Sequence, residues 1–228
     1  LPSSFFLLPS LIWNFKFTMS IGQLIRAVEE ADSALNLLKA VQNLAATKDE
    51  EAIPILIKVL AYNNPGAAIA AIDGLVKIGT PAVEPLLKLD SYNYGARSWA
   101  VRAIAAIGDP RGLDILLDAT INDFALSVRR AAAKGLGSIH WDLLPSQKIS
   151  QAQLQAYQTL LQSTTDPEWV VRYASVVALE GLAIAVVDNP PHWLGELLTQ
   201  LGEIVKKDVT LAVKARALFA QEKLSKKS

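Results

Sequence analysis

The amino-acid sequence repeats a pattern every 29 residues through its middle part. Glycine stands at positions 79, 108 and 137, and asparagine recurs with the same spacing at Asn64, Asn93 and Asn122. Each unit offers an asparagine that can cap a helix, an apolar stripe, and a glycine that can end the helix. Shorter apolar segments lie between the units, and two of them start near a proline suited to a first helical turn, Pro81 and Pro110. Two helices in a period of about 30 residues predict an all-α fold, an α-solenoid.

Aspartate–basic pairs mark the later units. Three aspartates each precede a basic residue by six positions, and a valine stands before that basic residue; the pairs are Asp123 with Arg129, Asp166 with Arg172, and Asp208 with Lys214. This pattern resembles the ladder of HEAT repeats, in which a loop carboxylate reaches the helix of its own or a neighbouring unit. A cation on the buried side of a stacked helix needs such a partner, because an unpaired buried charge is costly. We therefore predict HEAT-like helix-pair repeats over residues 19–228, with structural ladder residues.

Composition excludes several kinds of site. Basic and acidic side chains balance at 22 each, which argues against nucleic-acid binding. The chain has no cysteine, which excludes disulfides, thiolate metal sites and thiol nucleophiles, and its two histidines stand outside metal-binding motifs, so we expect no metal site. Residues 1–18 are apolar but are interrupted by Pro2 and Pro9, and they are shorter than the ~20 residues of a membrane span. We expect this segment to be an extension outside the fold, and we expect no membrane association.

One unit departs from the ladder. The offset of 29 carries Asp123 and Arg129 back to Tyr94 and Ala100, so the ionic pair is missing there. Aromatic and arginine residues gather in its place: Tyr92, Tyr94, Arg97, Trp99 and Arg102. Aromatic faces and guanidinium groups suit a flat, conjugated ligand that bears carboxylates. In the alternative, the aromatic side chains fill gaps between repeats and the arginines are solvated.

The phase of the predicted helix divides these residues between two sides. With the alanines at 96, 100 and 103 buried, Trp99 and Arg102 share one flank of the helix and Arg97 lies on the other. Because the ladder pair is absent, we expect room beside this helix.

Further candidates lie nearby in the repeat. Asp109 and Arg111 predict a turn at a helix start with a local ion pair, and an exposed position on the loop edge would leave a ligand role open. Trp169 and Tyr173 either extend an aromatic lining or belong to the core.

Five stretches of the sequence stand out together: residues 63–68, 92–97, 108–111, 122–130 and 166–173. They resemble the phycobilin lyases of the E/F type, and among them the F (beta) type of subunit. The motifs Tyr-Asn-Tyr-Gly-Ala-Arg and Asn-Asp-Phe-Ala-Leu-Ser-Val-Arg-Arg are the specific ones. The HEAT-like repeats alone are shared by many scaffolds.

The resemblance implies an enzyme subunit that pairs with an E-type partner subunit. Such a heterodimer attaches phycocyanobilin, through a thioether, to a cysteine of the phycocyanin alpha subunit in the cyanobacterial cytoplasm. Related F-type subunits that also isomerise the bilin depend on a His-Cys pair. Because this chain has no cysteine, the resemblance favours a lyase without isomerisation, and a bilin that is held non-covalently as the substrate.

The resemblance also suggests roles for the candidate residues. Arg97 and Arg102 would contact the bilin propionates or the partner, while Tyr92, Tyr94 and Trp99 would line the bilin. Asp109 and Arg111 fall in a matching motif without an assigned step, Trp169 would extend the lining, and the catalytic residues stay unassigned. Two other classes stay open at this point: a non-catalytic adaptor or chaperone for phycobiliproteins, and an unrelated HEAT interaction module.

Overall fold

The computed structural model describes residues 19–89 and 93–226. Within them the chain forms twelve α-helices and no strand: α1 (Ile21–Glu29), α2 (Ala34–Thr47), α3 (Ile53–Val59), α4 (Pro65–Ile78), α5 (Val83–Leu87), α6 (Tyr94–Ile107), α7 (Leu113–Asn122), α8 (Leu126–Leu136), α9 (Ser146–Ser163), α10 (Trp169–Val186), α11 (Leu194–Lys207) and α12 (Leu211–Ser225). Short 3-10 turns precede α3, α5, α7 and α9. The predicted extension, residues 1–18, lies outside the described residues, as does Tyr92.

The helices form two stacked layers. Each odd-numbered helix packs on the even-numbered helix that follows it, from α1 with α2 to α11 with α12. The even-numbered helices also pack on one another in chain order from α2 to α12, and α3 with α5 and α7 with α9 make similar contacts in the other layer. A continuous apolar core runs between the layers. The prediction of an α-solenoid of helix pairs is confirmed.

The predicted asparagine caps are correct in two units and wrong in the third. The side chains of Asn64 and Asn93 accept hydrogen bonds from backbone N–H groups in the first turns of α4 and α6. Asn122 instead ends α7, and its amide donates to Asp118 at 2.8 Å. The helix α7 runs further than α5, so α8 starts later in its unit. The Asp123 carboxylate then accepts the loop N–H of Ala125 at 2.9 Å.

The repeated glycines end their helices for two different reasons. Gly79 and Gly108 have φ values of 82° and 73°, a region that costs glycine little, so the predicted helix ends are confirmed there. Gly137 also ends α8, but with a φ of −83°. A Cβ at this position would lie 2.3 Å from Cα of Ala178 in α10. This third glycine therefore permits the close approach of two neighbouring helices.

The ladder joins each unit to the next one along the chain. Arg129 donates from Nε and Nη2 to the two carboxylate oxygens of Asp166, at 2.7 and 3.1 Å, and Arg172 binds Asp208 in the same way at 2.8 and 3.0 Å. The third nitrogen of each guanidinium donates to two carbonyls of its own loop. The hydrogen bond from Arg172 holds the pKa of Asp208 below its ordinary value, against the opposing effect of burial. Each arginine thus fastens two successive loops together.

The unit without the ionic pair keeps a link of another kind. The hydroxyl of Tyr94 donates to the carboxylate of Asp123 at 2.8 Å, and its ring stacks on Phe124 with the ring centroids 4.3 Å apart. The place of the missing ladder pair is therefore filled, because a phenol from the preceding unit reaches the carboxylate at the position where an arginine binds in the later units.

We predict that Arg129→Ala or Arg172→Ala lowers the free energy of unfolding by about 3–5 kcal/mol, because each leaves unpaired a carboxylate whose side chain is only 9 or 6% exposed. Lys58→Ala is the matched control, since it removes an exposed ion pair in which Lys58 Nζ lies 3.7 Å from the Glu29 carboxylate. Such exposed pairs contribute about 0–1 kcal/mol. Urea unfolding followed by circular dichroism measures all three. Arginine variants as stable as the Lys58 variant would contradict the structural role of the ladder.

Candidate functional site

A groove crosses the outer face of the even-numbered layer between α6, α8 and α10. It consists of two adjoining cavities of about 580 and 520 Å³, and Arg130 and Lys134 line both of them. The cavity between α6 and α8 also has small side chains in its lining: Ala105, Ala106, Ala131 and Gly135. Because these side chains are short, the helices leave an open channel along their outer surface.

Three cations line one side of the groove. Arg102 comes from α6, and Arg130 and Lys134 stand one helical turn apart on α8. No carboxylate lines either cavity, and no ion pair of these three side chains occurs within residues 19–89 and 93–226. Burial and the neighbouring charge of Arg130 lower the pKa of Arg102. The positive charge is thus available to an anionic ligand.

Arg102 is held in place by two contacts. Its Nη2 donates to the hydroxyl of Ser127 on α8 at 2.9 Å. Its guanidinium also lies over the ring of Trp99, 4.3 Å from the ring centroid, which is a cation–π contact. The guanidinium is therefore fixed at the edge of the groove before any ligand binds.

Aromatic and aliphatic side chains line the other side. Trp169 and Tyr173 lie one turn apart on α10, with Val177 one turn further, and all three line the cavity that faces Arg130 and Lys134. Both aromatic side chains are exposed to solvent. A cationic wall opposite an aromatic wall suits a flat, conjugated molecule that carries negative charge.

The channel continues onto α12 through a third cavity of about 680 Å³, which shares Tyr173 and Val177 with the second. Glu180 is buried there, and its carboxylate accepts hydrogen bonds from Arg216 and Lys223, each at 2.6 Å. Burial raises the pKa of Glu180, but these two cations more than offset that effect and lower it overall. The two cations at this end are thus paired with a buried carboxylate, whereas no carboxylate lines the cavity between α6 and α8.

Known proteins match the chain along most of its length. The HEAT repeats family matches residues 83–180, and the PBS lyase HEAT-like repeat matches residues 37–62. The phycocyanobilin lyase subunit beta of Pseudanabaena tenuis (strain PCC 7409) is 55% identical over 212 residues, which cover 92% of this chain and 75% of that protein. The phycocyanin alpha phycocyanobilin lyase CpcF of Synechocystis sp. is 49% identical, with 92% and 97% covered. The chain belongs to the family of phycocyanobilin lyase beta subunits.

Solved structures agree with this family and with the fold. A chain of the complex of CpcE and CpcF of phycocyanin lyase from Nostoc sp. PCC7120 is 49% identical, has a TM-score of 0.69, and matches over 76% of this chain and 99% of that one. A designed armadillo repeat protein is only 18% identical with a TM-score of 0.58, over 90% of this chain and all of that one, and shares the solenoid fold alone. The resemblance seen in the sequence is confirmed.

In this phycocyanobilin lyase beta-subunit family member, the groove brings together only some of the residues that the sequence singled out. Arg102 and Trp169 line it, and Trp99 supports Arg102. Arg97 lies on the other flank of α6, where its nearest carboxylate is that of Asp118 on α7 at 3.8 Å. Tyr94 is engaged in the link to Asp123.

Asp109 and Arg111 form a contact between repeats, away from the groove. Asp109 is buried rather than exposed on the loop edge, and its carboxylate accepts from Nε and Nη2 of Arg111 at 2.9 and 2.7 Å. Arg111 also donates to the carbonyl of Thr80 in the preceding unit at 2.7 Å. Asp109 therefore lacks the exposure that would have left a ligand role open to it, whereas the Arg111 side chain remains 42% exposed.

Sequence reasoning missed Arg130 and Lys134 as groove residues. The ladder spacing drew attention to Arg129, and the next residue, about 100° further round α8, points to another face. The signal that could have found them is the phase of α8, which puts Ser127, Arg130 and Lys134 on one stripe.

One helix of the family member has the length and apolar composition of a membrane span. It is α10, and 56% of that stretch is buried inside the structure. The buried core helix of a solenoid meets the same criteria, so this feature is weak evidence for a membrane.

We predict that Tyr94 ionises unusually late. Burial and the hydrogen bond to Asp123 raise its pKa from 10.0 to about 12. The stabilisation from this link is therefore complete below pH 10 and is lost as the pH rises through 12. Phenolate absorbance during an alkaline titration measures it. Tyr94→Phe should remove one late-titrating tyrosine and leave Tyr157, whose pKa burial and Glu196 also raise to about 12. Superimposable curves for wild type and variant would refute the assignment.

Proposed function

We propose that this chain is the beta-type subunit of a heterodimeric phycocyanobilin lyase that acts in the cytoplasm. With an E-type partner subunit it attaches phycocyanobilin, through a thioether, to a cysteine of the phycocyanin alpha subunit. The observation that carries this proposal is the 49% identity to phycocyanin alpha phycocyanobilin lyase CpcF over 97% of that protein. The complex of CpcE and CpcF, one chain of which is equally similar to this one, supports the two-subunit form.

The groove is the part of the chain that suits the bilin. Phycocyanobilin is a conjugated tetrapyrrole with two propionates. Arg102, Arg130 and Lys134 supply charge-assisted hydrogen bonds for carboxylates, and Trp169 and Tyr173 supply aromatic surface for the conjugated system. The chain has no cysteine, so the groove binds the bilin without a covalent bond.

The reaction depends mainly on how the bilin and the acceptor thiol are positioned, because the addition consumes no further reagent. The thiol of the acceptor adds across the ethylidene double bond of the A ring: its sulfur bonds to the ethylidene carbon, and a proton ends on the adjoining ring carbon. All atoms of both reactants are kept. A lyase accelerates this addition by holding the bilin in one conformation and orientation. The fixed guanidinium of Arg102 and the cations of α8 perform that holding.

We predict covalent transfer in a reconstituted system. This chain and its E-type partner, incubated with phycocyanobilin and apo-phycocyanin alpha subunit, should give bilin that stays on the alpha subunit under denaturing conditions. Omission of either lyase subunit should reduce the yield to the spontaneous level. Bilin that binds but never becomes covalent would identify an adaptor or chaperone, and no bilin binding at all would indicate an unrelated HEAT module.

We predict that the groove cations set bilin affinity. The double variant Arg130→Gln, Lys134→Gln should weaken bilin binding to the heterodimer at least about 10-fold, since hydrogen bonds to charged groups contribute about 1.5–3 kcal/mol each. Lys77→Gln is the matched control, because Lys77 is an exposed lysine on the same layer, away from this groove. Bilin absorbance titration measures both. Equal affinity of the two variants would place the bilin elsewhere.

A further inference from the structure

Five large apolar side chains lie exposed along one edge of the solenoid. Phe124, Leu126, Trp169, Val209 and Leu211 are 77, 41, 46, 91 and 81% exposed, and we name this set the apolar rail. They occupy repeated positions. Leu126, Trp169 and Leu211 are the first residues of α8, α10 and α12, and Phe124 and Val209 directly follow a ladder aspartate. Three successive repeats therefore expose apolar groups at the same edge.

This exposure is not what helix starts require. The first turn of a helix favours polar and acidic side chains, which complement its unpaired N–H groups. Contiguous exposed apolar side chains are instead typical of interaction surfaces. The aspartates of the same loops are already bound within the chain, Asp123 by Tyr94 and Asp208 by Arg172. The loop aspartates therefore do not compete for a partner, and the apolar side chains of this edge stand beside one exposed carboxylate of the same loops, Glu168.

A cation stands at one end of the apolar rail. Lys214 takes in α12 the ladder position that Arg129 and Arg172 hold in the earlier units. Its Nζ donates to the carbonyl of Lys206 at 3.1 Å, and within residues 19–89 and 93–226 no carboxylate lies at ion-pair distance from it. Both earlier arginines bind a carboxylate from an adjoining loop. A partner that presents a carboxylate there would complement this charge.

We propose that the apolar rail and Lys214 form the docking surface for the E-type partner subunit, which contributes apolar side chains along the edge and a carboxylate at Lys214. Permanent interfaces are more hydrophobic than transient ones. Side chains exposed by as much as 91% therefore fit a subunit that stays bound better than an acceptor protein that leaves after each turnover. This inference rests on the proposed two-subunit function. Because Trp169 belongs to both the rail and the groove, the partner lies beside the bound bilin.

The test measures assembly of the heterodimer and not transfer alone. In the triple variant Phe124→Ser, Val209→Ser, Leu211→Ser, the dissociation constant for the E-type subunit should rise at least about 30-fold, the effect of losing interface hot spots. Lys214→Glu should raise it about 10-fold, with less response to salt than in wild type. Ile69→Ser is the matched control: Ile69 is 53% exposed on α4, outside the rail, and its variant should assemble normally. Circular dichroism and melting temperature confirm that each variant is folded.

The outcomes separate this inference from the proposed function. Folded rail variants should regain transfer when both subunits are concentrated above the weakened dissociation constant, whereas the variant at Arg130 and Lys134 should dimerise normally and still bind bilin poorly. Normal assembly of the triple variant would overturn the docking surface and leave the function standing. If the triple variant assembles normally but binds apo-phycocyanin alpha subunit more weakly, the apolar rail contacts the acceptor, and the proposed docking of the E-type partner is overturned in this case too. A wild-type heterodimer that forms but never transfers bilin would refute the function and not the surface.

Discussion

The contacts between successive loops hold this solenoid in register. A stacked-repeat protein has few long-range contacts, so its shape depends on how each unit is fixed to the next. Here Arg129 and Arg172 each bind two loops at once, through one carboxylate and two carbonyls. Their side chains are only 12 and 11% exposed, and both charges are paired with a carboxylate, which is the condition under which an ion pair removed from water is tolerated. Because these contacts fix the loops relative to one another, they also fix the relative positions of the even-numbered helices that follow the loops.

Small residues determine the surface that the fixed helices present. Glycine and alanine lie where the even-numbered helices meet, as at Gly137 against Ala178 and Gly135 against Ala105. Close approach of the backbones leaves short side chains between the helices and longer ones standing on either side. The groove is the result, and its cations and aromatic groups come from helices whose spacing the core has already set. Binding surface and packing are therefore two consequences of the same residues.

The sequence predicted the class of fold well because the relevant signals are local. Helix caps, apolar stripes and terminal glycines depend on neighbours a few residues away, and the three aspartate–basic pairs were visible as spacing. The partner of each ladder arginine could not be identified from the sequence. Asp166 lies 37 residues after Arg129, and by spacing alone either Asp123 or Asp166 could pair with that arginine. The role of Tyr94 was predicted wrongly for a related reason. Sequence comparison between repeats treated a phenol as the loss of a pair, whereas in space its hydroxyl reaches Asp123.

The links between units also differ in kind, and one of them involves the groove. Two junctions carry a two-pronged charged fork, and the junction between the α6 and α8 units carries one phenol hydrogen bond supported by ring stacking. The hydrogen bond from Arg102 to Ser127 crosses this same junction. One of the groove cations is therefore also part of the link between the α6 and α8 units, so a ligand that draws Arg102 away from Ser127 loosens the attachment of one repeat to the next.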